Sequence, residues 1–313
     1  MGNSAKRPSD WQTDIDQSVS EYDGWYLARA PAMFLQARGR AVAAVEEAML
    51  ATEDFRQFTP NALAHSPAVL TVARMCVSPP MARDRFVGFS GANKSLVTVM
   101  ERDAVIPANA RRLDMQLVVM CDFLRPLLDP TLFSWLEAKR SPTQVERERA
   151  MLVIGERLTA TYYLPMLRNT QEVRQKDLMR TYLESEGFEE SSLLPFEMPS
   201  GTFCFGRNVP VARADGVRQN LPVDCVVAPQ REDLPLVCVE MKSAGDFTNV
   251  NKRRKEESDK HDALKRKYGD RVVFLLQLFG YFGTTYLSFE AAAKIDWAWD
   301  HRLSDLAAYL GTE

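Results

Sequence analysis

The sequence predicts an α+β protein: a mostly helical first part, then a mixed β-sheet flanked by helices. Three observations carry that expectation. Residues 11–140 place apolar side chains at helical spacing and offer no convincing strand. After Gly187 the chain turns to short runs rich in Val, Phe and Cys, bounded by Gly, Pro and Asn. The order that follows, helix, strands, helix, strand, calls for a mixed sheet with helices packed on it.

The elements follow in chain order. "SVSEYDGWYLARAPAMFLQARGRAVAAVEEAML" repeats apolar residues at helical spacing, and Pro31 predicts a break or a helix start there. In "TPNALAHSPAVLTVARM", Thr59 is placed to cap a helix whose first position is Pro60. "SPPMARDRFVGFSGANKSLVTVMERD" reads as a proline-punctuated turn, a short helix, a glycine break and a second helix. The helical theme continues through "LDMQLVVMCDFLRPLLDPTLFSWLEAKR". A break at "KRSPTQ" divides a helical N-terminal region, 1–140, from a second region, 141–313. Residues 145–188 then make one long helix or two consecutive ones, stopped at Gly187. "SGTFCFGRNVPVA", "LPVDCVVAP" and "LPLVCVEMK" are strands, 249–267 a basic helix, and "RVVFLLQLFG" another strand. The closing "EAAAKIDWAWDHRLSDLAAYL" reads as helical.

Composition narrows the function classes. Hydrophobic residues make up 46% of the 313 and charged ones 26%, the balance of a soluble globular protein. The net charge of -3 makes any nucleic-acid binding a matter of local clustering. No apolar run reaches the length of a membrane span, and "MGNSAKRPSDW" has no signal-peptide core, although its start matches the short myristoylation pattern. The five cysteines are scattered without a CxxC pair and the three histidines lie far apart, which argues against a zinc site or a disulfide framework. A reducing, cytoplasmic location is expected.

One stretch carries chemistry. "LPLVCVEMKSAGDFTNVNKRRKEE" runs from four consecutive apolar residues, Leu236 to Val239, into Glu240 and Lys242. Two apart on a strand, both side chains leave the same face, while Val239 and Met241 face the other. Asp224, ending "LPVD", sits on a strand that a hairpin through 228–234 pairs with this one. Two carboxylates and a lysine so placed suit hydrolysis of a phosphodiester with Mg2+, a hard cation that takes oxygen ligands. ExK alone arises by chance about once in a chain of this length. Glu137-Ala138-Lys139 is a second copy, but on a helix residues i and i+2 diverge. The competing reading of 240–242 is an edge strand whose charges face water. For the basic helix it is a solvated surface with Glu256–Lys260 pairing, and for "ARDR" an ion-pair network centred on Asp84 that holds helices together. Trp297, Trp299 and Tyr309 suit a core or a dimer interface better than base stacking.

The group Asp224…Glu240-x-Lys242 resembles the PD-(D/E)xK nuclease motif, with "PVD" and "VEMK" as its two halves. Longer blocks resemble the XamI family of type II restriction endonucleases: "PPMARDRFVGFSGANKSLV", "RNTQEVRQ", "PSGTFCFGRNVPV", "EMKSAGDFTNVNKRRKEE" and "GYFGTTYLSFEAAAKIDWAWDHRLSDL". The resemblance implies Mg2+-dependent cleavage of duplex DNA at a short palindrome, GTCGAC-like, by a cytoplasmic homodimer, with Mn2+ as a substitute ion. It also implies a DNA methyltransferase in the same system, without a stable complex. It assigns catalysis to Asp224, Glu240 and Lys242; for the metal, the expected ligands are Asp224, Glu240 and the Met241 carbonyl. A further carboxylate from the preceding helix is implied: Glu172, with Gln175 and Glu184 as rivals. Met241 stands where relatives have a smaller residue, on the core-facing side. For DNA contact the candidates are Asn249, Asn251, Lys252, Arg253 and Arg254, with Arg83 and Arg85 as a second cluster. Two alternatives stay open: a repair or structure-selective nuclease on the same fold, and a DNA-binding scaffold without catalysis.

Overall fold

The computed structural model describes residues 2–212, 218–248 and 250–312; the side chains of 212, 218 and 250–254 are outside that description. Asn249 therefore lies outside the described residues. The chain divides into two compact units, one made of Met1–Arg29 with Arg168–Glu313, the other of Ala30–Leu167. The expected boundary at 140 falls inside the second unit, in the loop ahead of a helix that runs on for 42 residues.

The second unit is helical, with its turns where the punctuation put them. It takes the later part of α1 (Gln12–Ala51), then α2 (Pro60–His65), α3 (Val69–Cys76), α4 (Arg83–Ser90), α5 (Lys94–Asp103), α6 (Leu113–Leu124) and α7 (Ser134–Glu137), and the first part of α8 (Gln144–Ser185). Thr59 caps α2 by accepting from the Ala62 N–H at 3.2 Å, with Pro60 at the first helical position. Pro31 does not end α1. The ring removes one hydrogen bond, to the carbonyl of residue 27, while core packing through Ala41, Val45, Ala48 and Met49 holds the helix beyond it. Met49, Phe58, Leu70, Phe86, Val97 and Trp135 form the shared core. Arg74 and Glu101, both almost fully buried, pair at 2.5 Å across α3 and α5, and Arg83 joins the same carboxylate at 2.6 Å.

The first unit holds a six-stranded mixed sheet in chain order: β1 (Glu189–Glu190), β2 (Thr202–Ala212), β3 (Arg218–Ala228), β4 (Leu236–Ala244), β5 (Val272–Gly280) and β6 (Asp296–Trp299). β2, β3 and β4 are antiparallel neighbours, while β4, β5 and β6 run parallel. The parallel pairs need crossovers, supplied by α9 (Val250–Tyr268) and by α10 (Thr284–Ala292). One face packs on the later part of α8 through Met179, Leu183, Val237, Val239 and Met241. The other packs on α9 and α10 through Cys238, Leu264, Phe274, Leu276, Tyr286 and Leu287.

The C-terminal segment departs from the helical expectation. Residues 296–299 form β6, all four buried, before a short turn leads to α11 (Ala307–Leu310). Pairing with the open edge of β5 satisfies the backbone there, and a local helix signal has no counterpart to that gain. Trp297 packs edge-on against Trp11 at 5.3 Å, and Trp299 is wholly enclosed, so both tryptophans are core. All five cysteines are free and buried. Among the described residues no helix is long and apolar enough to cross a membrane.

Candidate active site

β4 is an interior strand between β3 and β5, not an edge. Its charged end faces α9, and Glu240 is only 5% exposed. The β3–β4 ladder runs from Val227↔Val237 to Cys225↔Val239 and then stops. Beyond it, the Met241 N–H donates to Asp224 Oδ2 at 2.8 Å, so a side chain replaces the next ladder bond. Asp224 sits at an irregularity in the neighbouring pair too. The β2–β3 register passes from Phe205↔Cys225 to Arg207↔Val223, skipping Gly206, whose φ of 60° is one that glycine accepts without strain. The β3–β4 ladder therefore ends beside Asp224 and Glu240.

Two ammonium groups converge on one oxygen of Glu240. Lys242 Nζ donates to Glu240 Oε1 at 2.9 Å, and Lys260 Nζ, reaching in from α9, donates to it at 2.6 Å. Lys260 also donates to the Pro222 carbonyl at 3.0 Å. Lys260 thus joins the strand rather than pairing with Glu256 on its own helix. Glu240 Oε2 is buried and has no hydrogen-bond partner among the described residues. Burial, then the charge of Glu240, raises the carboxyl of Asp224 above the ordinary aspartate range, against the Met241 N–H and both lysines. For Lys242, burial pulls the ammonium down, but the charge and hydrogen bond of Glu240, then Glu257 and Asp224, outweigh it and the net shift is upward.

Of the three α8 candidates, only Gln175 reaches this strand. It is buried, and its Nε2 donates to the Lys242 carbonyl at 3.2 Å and to Asp300 Oδ1 at 3.3 Å, where Gln277 also donates at 2.8 Å. Gln175 supports the backbone of β4 from the face opposite the charged side chains. Glu172 is half exposed and pairs with Lys176 on its own helix. Glu184 is exposed in the last turn of α8. In the second unit Arg83 is bound to Glu101, and the network there centres on Glu101, while exposed Asp84 pairs with Lys94 at 3.0 Å. Arg85 is exposed. Asn251, Lys252, Arg253 and Arg254 occupy the first turns of α9.

The sequence reading missed Lys260 and Glu257, the α9 residues that meet the charged strand. Glu257 is fully buried, 3.8 Å from Lys242 Nζ, and accepts from the Tyr286 hydroxyl at 2.6 Å. A signal existed: Glu257 and Leu264 are seven apart, two helical turns, so the face that buries the leucine also buries the acid.

An Asp on β3 meets a Glu and a Lys on the neighbouring strand β4, beneath the crossover helix α9, an arrangement that suits metal-assisted hydrolysis of a phosphodiester. Comparisons with known proteins supply the family. The sequence profile described as XamI restriction endonuclease matches residues 53–299. The type II restriction enzyme SalI of Streptomyces albus G is 40% identical over 312 residues, covering 97% of this chain and 98% of that protein. The type II restriction enzyme XamI of Xanthomonas campestris pv. amaranthicola is 23% identical over 195 residues, 62% of this chain and 64% of its own length. Among solved structures, protein VC1899 from Vibrio cholerae aligns at a TM-score of 0.32 and 12% identity, over 90% of this chain and 57% of that one, and carries no weight here. The chain belongs to the XamI restriction endonuclease family and is a type II restriction enzyme, a site-specific deoxyribonuclease.

Proposed function

We propose that Asp224, Glu240 and Lys242 form the catalytic group, that the metal is Mg2+ with Mn2+ able to replace it, and that the substrate is a GTCGAC-like palindrome. The observation that carries the site is the convergence of these three residues where the β3–β4 ladder ends, with Glu240 Oε2 left without a partner among the described residues. The residues fit a hard cation. Asp224 and Glu240 offer carboxylate oxygens, and one Glu240 oxygen is buried and unsatisfied, a costly state in the absence of a ligand. The Met241 N–H points toward Asp224, and N–H and C=O of one strand residue leave on the same side, which directs the Met241 carbonyl there as well. Among the described residues no group of three His, Cys, Asp or Glu side chains could hold a metal, so two carboxylates and a carbonyl are the protein's share.

A divalent cation bound there supplies Lewis-acid polarisation of the phosphate and makes water more acidic. The chain's own residues do the rest. Lys242 contacts a phosphate oxygen or the attacking water and favours its deprotonated form. Lys260 balances the carboxylate charge, and Gln175 fixes the strand backbone at Lys242. DNA is gripped by the start of α9, with Asn249, Asn251, Lys252, Arg253 and Arg254 as contacts. Cleavage of a palindrome calls for two copies related by a twofold axis, hence a homodimer. A DNA methyltransferase of the same specificity would protect the host in the cytoplasm without a stable complex.

The test uses long, sequence-diverse DNA with Mg2+, with Mn2+ and with EDTA, with Glu240→Ala alongside. Discrete metal-dependent bands whose ends fall within GTCGAC, absent for the variant, support the proposal. Wild-type cleavage by Glu240→Ala ends the site assignment, and ends at another sequence replace the proposed substrate.

A further inference from the structure

We propose that Glu257 is a positioning residue for Lys242, held in place by Tyr286; this rests on the catalytic role assigned above to Lys242. The Lys242 ammonium lies between two carboxylates, Glu240 Oε1 at 2.9 Å and Glu257 Oε1 at 3.8 Å. Glu240 has other demands on it. The same Oε1 accepts from Lys260 at 2.6 Å, and its second oxygen is the one offered to a cation. Glu257 is enclosed within the fold, fully buried, with Oε2 fixed by the hydroxyl of Tyr286, itself 2% exposed. Leu264, two turns further along α9, anchors the helix in the core and so sets the depth of Glu257.

Burying a carboxylate completely is expensive, and exchanging such a charge for packed apolar atoms is often neutral or stabilising. Placing it beside the one lysine the reaction uses gives it a purpose. It keeps Lys242 oriented when Glu240 turns toward a ligand. Tyr286, from α10, restrains the carboxylate so that the orientation persists. Glu257 acts through Lys242 and touches no substrate.

The test compares Glu257→Gln and Tyr286→Phe with Lys242→Ala. It measures single-turnover cleavage at saturating DNA, DNA affinity in EDTA, and thermal melting. We expect Glu257→Gln to cleave ~10–100-fold more slowly, the cost of removing a partner that orients a reactive group. DNA affinity should stay within about twofold, since the variant leaves the DNA-binding face intact. Tyr286→Phe keeps the carboxylate and should lose less rate; it carries the test if Glu257→Gln does not fold. Wild-type cleavage by a folded Glu257→Gln, with Lys242→Ala inactive, overturns the proposal. So does a parallel loss of rate and DNA affinity, the signature of a merely structural role. Wild-type cleavage by Lys242→Ala instead removes the reading on which the proposal rests.

Discussion

At the residue scale the chemistry depends on how few partners each carboxylate has. Glu240 gives one oxygen to two lysines and keeps the other unpaired, among the described residues, in a buried place. Glu240→Ala should lower cleavage at least about a hundredfold, as loss of a charge-stabilising group does. Specific DNA binding in EDTA should persist or tighten, because a negative charge near phosphate is gone; a gel-shift titration reads this directly. Asp224 gives a stability prediction. Burial and the neighbouring Glu240 raise its carboxyl in the folded state, so the native protein takes up that proton more readily than the unfolded chain. The charged form therefore weakens the fold at neutral pH, and the penalty fades as pH falls through the raised value. Asp224→Asn should lose cleavage yet melt higher than wild type at pH 7 in EDTA, with the gap closing in acid. An unchanged or lower melting temperature at pH 7 would contradict the assigned electrostatics.

At the scale of elements, two helices separate support from function. In the second unit, Glu101 neutralises buried Arg74 and gathers Arg83 to the same carboxylate. Arg83 thus shares a buried carboxylate while much of its own side chain stays exposed. Glu101→Gln leaves Arg74 buried without a full counter-charge and should cost roughly 3–5 kcal/mol in chemical denaturation. A loss below about 1 kcal/mol would place the pair among those that contribute little to stability. The start of α9 is a different case, basic and adjacent in sequence to β4. Replacing Lys252, Arg253 and Arg254 with alanine should weaken DNA binding across sequences. Its salt dependence should flatten by about 0.9 in log–log slope for each phosphate no longer neutralised. An unchanged slope would move the DNA grip elsewhere.

At the scale of the whole molecule, the proposed palindromic target and the proposed catalytic group, one per chain, predict two chains. Sedimentation at assay concentration should give twice the chain mass, free or on DNA. A monomer that cuts both strands in one binding event would refute the homodimer. The chain's small net negative charge adds no general attraction to DNA, so affinity should fall steeply with salt only through local contacts.

Much of this was legible in the primary structure. The α+β order, the Thr59–Pro60 helix start, the strands β2 to β5 and the pairing of Asp224 with Glu240 and Lys242 follow from periodicity, capping and strand alternation, all local properties. The sequence by itself determined the family as well, through blocks spread along most of the chain. Only the tertiary structure decided the rest. β6 exists because β5 had an open edge, α1 continues through Pro31 because the helix beyond it is held in the core, and Gln175 rather than Glu172 meets β4. Lys260 and Glu257 reach that strand because a crossover helix lies over it. Such facts depend on which surfaces meet across long stretches of chain, and no local spacing encodes them.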